Sequence, residues 1–125
     1  MGNYEHLMDM VPDAPSWIID WQSIESSTLK QYVDEMKLTP QSPRWHAEGD
    51  VWTHTKMVCE SLVAMPEYRV LPPTQRHILF HAALFHDFGK IIATRQEGSD
   101  WVSPGHASKG ALMVREMLWR EFRMC

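Results

Sequence analysis

The sequence predicts an all-α domain, on three observations. Apolar residues recur at helical spacing in four separate stretches, and prolines and glycines punctuate the chain between them. No run of alternating strand character appears outside one short polar loop. A length of 125 residues suits one domain able to bury a core, and a composition of 44% hydrophobic and 22% charged residues excludes overall disorder. The formal net charge of −4 excludes a global basic field for holding nucleic acid and leaves only a local groove for that purpose.

Residues 1–25 hold Pro12, Pro15, Trp17 and Trp21 without periodicity, and read as an irregular arm that packs its tryptophans onto a helical domain spanning 26–125. The first helix is expected from Ser26 to Met36, capped by Ser26 or Ser27, with Leu29, Tyr32, Val33 and Met36 on one stripe. Pro40 and Pro43 then mark a loop. Asp50 reads as the N-cap of a second helix from Val51 to about Met65, with Val51, Thr55, Val58 and Leu62 on its buried face and His54 beside them. Pro66 stops or kinks it.

A third helix is expected from Pro73 to Phe88, buried on a broad face by Ile78, Leu79, Ala82, Ala83, Phe85 and Phe88, with Gly89 as its C-terminal cap. Residues 93–105 read as a polar loop with a short hairpin around Gly98. The last helix starts near His106 and turns Ala107, Ala111, Val114, Met117 and Leu118 to one side.

The chain has two cysteines, Cys59 and Cys125, which form no CxxC pattern and imply no disulfide framework. No apolar run approaches the ~20 residues that span a membrane. The first ten residues lack the basic start and apolar core of a secretory signal, and His6 stands where a myristoylation motif needs Ser or Thr. The expectation is a cytoplasmic protein without membrane contact.

His54, His86 and His106 fall in three different elements, and Asp87 follows His86 where an apolar helix stops. Neutral imidazole is a common ligand of transition metals, and a neighbouring carboxylate extends the choice to harder ions. A lone histidine on an apolar stripe is more often a neutral core residue; three of them with Asp87 point to a site. Lys90 stands three residues after Asp87, where it can meet a phosphate. Asp50 reads as a cap before a ligand, and His77 with His81 as packing or surface residues. His46 and Glu48 precede the cap in the loop. The tryptophans, Trp45, Trp52, Trp101 and Trp119 among them, read as packing residues.

The segments "THT" around His54, "HDFGK" from His86 to Lys90 and "GHASKGA" from Gly105 to Ala111 resemble, in order and helical placement, the motifs of the HD-domain metal-dependent phosphohydrolases. The resemblance covers about residues 44–120. "HAEGDVWTHT" is similar to the HD segment attached to tRNA nucleotidyltransferases. Together with "DWVSPGHASKGA" it is similar to HD modules fused to polynucleotide-kinase-type domains.

The resemblance implies an HD-like helical bundle with His54, His86 and Asp87 as ligands of a divalent ion (Mn, Ni, Co, Fe, Zn or Mg). One or two ions are implied, with Asp87 bridging if there are two. It further implies that His106 serves the second ion or the substrate phosphate, and that Asp87 and Lys90 are catalytic. Lys90 and His106 would contact the substrate phosphate. Apart from the resemblance, Arg95 reads either as a bidentate phosphate contact or as a surface residue, and Lys109, close to His106, as a contact to a nucleic-acid backbone. The implied substrate is a phosphomonoester or cyclic phosphodiester, on a phosphorylated small molecule or nucleic-acid end, with a role in RNA end repair and a fused or separate kinase-type partner.

The family's ligand set closes with a distal Asp on a later helix, whereas no Asp or His follows His106 here. Two expectations follow: a bundle incomplete at the C-terminus, and apolar surface that a homodimer or partner covers. The alternative to an enzyme is a non-catalytic helical module that binds or regulates a partner protein.

Overall fold

A computed structural model describes residues 7–43 and 49–122. His6, Trp45, His46, Glu48, Arg123 and Cys125 lie outside the described residues. The chain runs α1 (Trp21–Glu25), α2 (Lys30–Lys37), α3 (Val51–Ala64), α4 (Pro66–Arg69), α5 (Pro73–Phe85), α6 (Lys90–Ala93), β1 (Arg95–Glu97), β2 (Asp100–Val102) and α7 (His106–Phe122). The all-α expectation holds, with a two-stranded antiparallel hairpin as its only described sheet. That hairpin pairs Arg95 with Val102 and Glu97 with Asp100, and turns at Gly98, whose φ of 64° suits glycine. No described helix is long and apolar enough to cross a membrane.

α3 packs on α5 and α2, and α6 packs on α2 and α7. The stripe Leu29, Tyr32, Val33 and Met36 is buried as expected, and Tyr32 stacks on Phe88 at 5.4 Å between ring centroids. Helix α2 begins later than the sequence suggests, because the serine at 27 turns its hydroxyl back to the Ile24 carbonyl and Leu29 caps the helix instead. Residues 21–25 form a helical turn within what read as an irregular arm, capped by Asp20, whose carboxylate accepts from the Ser23 amide. The arm's tryptophans do pack, Trp17 edge-on to Tyr68 and Trp21 edge-on to Trp52. Leu7, Ile19 and Ile24 join the same core.

Asp50 caps α3 as expected, accepting from the Thr53 amide at 2.8 Å and from its hydroxyl at 2.9 Å. The buried face of α3 is Val51, Trp52, Thr55, Cys59 and Val63. It is rotated from the expected stripe, so that Val58 and Leu62 are only half-buried. Burial pushes the Cys59 thiol up to about 12, as befits a small apolar core residue. The Asp50→Ala variant is expected to lose about 1 kcal/mol, seen as a melting midpoint about 4 °C lower by circular dichroism. An unchanged midpoint would remove the cap from the stability of α3.

Two other readings are corrected. Helix α5 ends at Phe85 and turns its Phe80, Leu84 and Phe85 inward, while Ile78 is 64% exposed and Leu79 and Ala82 are exposed too. An apolar face all round the helix does not say that a neighbour covers every side. Gly89 is no left-handed cap either: its φ of −62° and ψ of −20° are helical. It is glycine because the backbone of α7 lies against it. A β-carbon there would overlap the His106 carbonyl oxygen and stand 2.5 Å from the Gly110 nitrogen. On α7 the inward residues are Gly110 and Met117 rather than Ala107 and Ala111, which are exposed.

Candidate metal centre

Four elements bring the sequence-predicted residues to one carboxylate. Asp87 sits in the turn between α5 and α6 and is 3% exposed. Its Oδ2 lies 3.1 Å from His86 Nε2, 3.7 Å from His54 Nε2 on the second turn of α3, and 3.4 Å from Lys90 Nζ at the start of α6. Its other oxygen, Oδ1, lies 3.5 Å from His106 Nε2 at the start of α7. The contact of Gly89 with Gly110 holds α7 close enough for His106 to take part.

The imidazole tautomers follow from the backbone. His86 Nδ1 lies 2.6 Å from the Ala83 carbonyl oxygen, and His106 Nδ1 lies 3.1 Å from that of Ser103. A carbonyl only accepts, so Nδ1 carries the hydrogen in both rings. In its neutral form each ring therefore turns an Nε2 lone pair toward Asp87. Lone pairs facing a carboxylate repel it unless a proton or a cation stands between them.

The protonation balance reflects that choice. Contact with the Asp87 carboxylate raises the His86 pKa against the opposing effect of burial. Burial alone would raise Asp87; the close imidazole of His86 and the charges of His86, Lys90 and His54 outweigh it and hold the carboxyl at about 2. Asp87 Oδ2 is buried and has no aligned hydrogen bond among the described residues, despite three polar neighbours. The atoms that His54, His86 and Asp87 offer all lie within 4.8 Å of one another. An orphaned carboxylate oxygen facing two imidazoles fits a divalent ion. The two-nitrogen, one-oxygen donor set suits Mn, Fe, Co, Ni or Zn more than Mg.

His106 belongs to this cluster through the second carboxylate oxygen and stands outside the three-residue group. Lys90, 9% exposed, gives a hydrogen bond of 2.6 Å to Gln41 Oε1. Arg95 is exposed on β1 with its guanidinium 3.4 Å from Glu97, and Lys109 is exposed in the first turn of α7. Neither lines the cleft beside Lys90 and His106. Of His77 and His81, the second gives a hydrogen bond from Nε2 to the Leu7 carbonyl, as a packing residue would.

Sequence reasoning missed Gln41 and Gly110. Gln41 reaches Lys90 because the loop after α2 is clamped to the start of α3, the Gln41 amide bonding the Gly49 carbonyl and the Val51 amide that of Thr39. Two prolines around a polar pair were the only local signal. Gly110 lay in view within "GHASKGA", but its partner Gly89 is 21 positions away.

The chain is similar to part of the multifunctional CCA protein of Shewanella frigidimarina (strain NCIMB 400), at 32% identity over 89 residues, which is 70% of this chain and 19% of that protein. No protein-family model matches the chain, and no solved structure matches it. An all-α chain with a His-His-Asp cluster thus shares a distant likeness with a segment one fifth as long as that relative.

Proposed function

We propose that the chain is a metal-dependent phosphohydrolase of the HD type, acting on a phosphomonoester or cyclic phosphodiester of a nucleotide or nucleic-acid end. The observation that carries this reading is the orphaned, buried Oδ2 of Asp87 with His54, His86 and Lys90 around it. The likeness to a multifunctional CCA protein supports a nucleotide or RNA substrate.

In this reading His54, His86 and Asp87 hold one divalent ion, which supplies Lewis acidity toward the phosphoryl group and acidifies water. Lys90 neutralises charge on a phosphate oxygen, and its bond to Gln41 keeps the ammonium from folding wholly onto Asp87. His106, with its Nδ1 fixed by Ser103, offers Nε2 on the opposite side of the carboxylate, for the phosphate or a second ion.

A non-catalytic module that binds a partner protein is the second reading, favoured by the exposed Ile78, Leu112 and Trp119. Phosphate release decides between them. Assays with Mn, Ni, Co or Mg on nucleoside monophosphates, 2′,3′-cyclic nucleotides and phosphorylated RNA ends are expected to show hydrolysis that a chelator stops. No release from any of these with any metal would leave the binding module.

A further inference from the structure

Beside the ligand cluster the cleft next to Lys90 and His106 has a volume of about 200 Å³ and is bordered by Gln41, Ser42, Lys90, Trp101, Ser103 and His106. Gln41 and Ser42 are 6% and 5% exposed. Yet Gln41 Nε2 and Ser42 Oγ have no hydrogen-bond partner among the described residues. The amide of Gln41 cannot be turned to relieve this, because Lys90 only donates and therefore fixes Oε1 toward itself. Two buried polar groups that line one cleft and have no partner among the described residues can be satisfied together by a ligand that bonds to both.

The chemistry of that ligand follows from what lines the cleft. Both lining groups able to carry positive charge, Lys90 and His106, already face Asp87, so a second phosphate would find no unmatched cation. Ser103 Oγ is engaged with Thr94 Oγ1 at 2.7 Å. What is left is neutral: an amide donor, a hydroxyl that donates and accepts, and the half-buried indole of Trp101. Amide, hydroxyl and aromatic face together suit a hydroxylated ring. The volume falls below the ~300 Å³ at which pockets begin to hold drug-sized ligands, so the cleft takes a sugar and not a whole nucleotide.

We propose that this cleft binds the pentose of a nucleotide, its hydroxyl oxygens bonded by Gln41 and Ser42 and its C–H face covered by Trp101. The proposal rests on the phosphohydrolase reading, which puts the phosphate next to Lys90 and His106.

The test compares kcat/KM for adenosine 5′-monophosphate with its 2′-deoxy and 3′-deoxy analogues, in the wild type and in Ser42→Ala. Wild type is expected to favour the full ribonucleotide over at least one analogue by about tenfold, and Ser42→Ala to bring that ratio close to one. A merely structural serine would lower all three rates together and leave the ratio unchanged, which overturns the proposal, as does a wild-type ratio of one. If the wild type turns over none of the three, and neither 2′,3′-cyclic nucleotides nor phosphorylated RNA ends with Mn, Ni, Co or Mg, the phosphohydrolase reading fails on its own. The cleft is then judged by calorimetric titration of the metal-free protein with the same three nucleotides: about tenfold weaker binding of a deoxy analogue supports it, and equal affinities or no binding overturn it.

Discussion

Asp87→Asn is expected to weaken binding of Mn or Ni about 100-fold or more and to abolish metal-dependent phosphate release, while the protein still folds. Loss of groups that only orient metal ligands typically costs 10–100-fold in affinity, and Asp87 is proposed as a ligand itself, with its buried oxygen at the centre of the cluster. An amide keeps the side-chain volume but brings no charge, and its nitrogen would face imidazole or ammonium groups on one side. Lys90 keeps its bond to Gln41, so its ammonium is not left bare. Loss of its carboxylate partner is expected to cost about 1–3 kcal/mol in the metal-free protein, a melting midpoint lower by about 4–12 °C. Elemental analysis, calorimetry and thermal melts of the two proteins side by side check each part. Equal metal content in both would take Asp87 out of the site.

Gly89→Ala is expected to be the most damaging glycine-to-alanine change among the described residues. Its backbone angles suit alanine, so no strain arises there and the whole effect comes from collision. The new carbon would meet the His106 carbonyl oxygen, the Gly110 nitrogen at 2.5 Å and the Gly110 α-carbon at 2.8 Å, against the 3.5–4.0 Å or so that unstrained heavy atoms keep. All three are backbone atoms and cannot swing aside. Helix α7 must back away by about 1 Å, carrying His106 from Asp87, and a loss of about 3 kcal/mol or more in chemical denaturation is expected. Gly98→Ala is the control: that glycine has a positive φ but open space around it, so it loses only about 1 kcal/mol. If Gly89→Ala melts with the wild type, the close approach of α6 and α7 is wrong.

These two residues also mark how far the sequence could be read. Asp87 stood out because its signal is local: an apolar helix that ends in an imidazole and a carboxylate, with a lysine three residues on. His54 was visible for the same reason, as a polar residue beside an apolar stripe, and Asp50 because a cap announces itself within three positions. Gly89 was taken for a helix terminator because glycine usually marks one. Its reason is tertiary, and nothing near it in the chain names Gly110.

Ile78 failed similarly. Helical spacing shows that a face is apolar, but which faces find partners depends on the packing of α3 and α7. Gln41 and Ser42 read as ordinary loop residues because what buries them is the clamp between residues 39–41 and the start of α3, a long-range pairing with no periodic signature.

The rings of His86 and His106 are each steered by the carbonyl three residues earlier in their own stretch of chain. In many metal sites a neighbouring side chain does this, and a single codon change can remove it. Here the steering group is the peptide itself, present whatever residue stands at 83 or 103. Only changes to the histidines or to the local path of the chain can disturb it. The aim of both imidazoles is thereby shielded from most mutational drift in their surroundings.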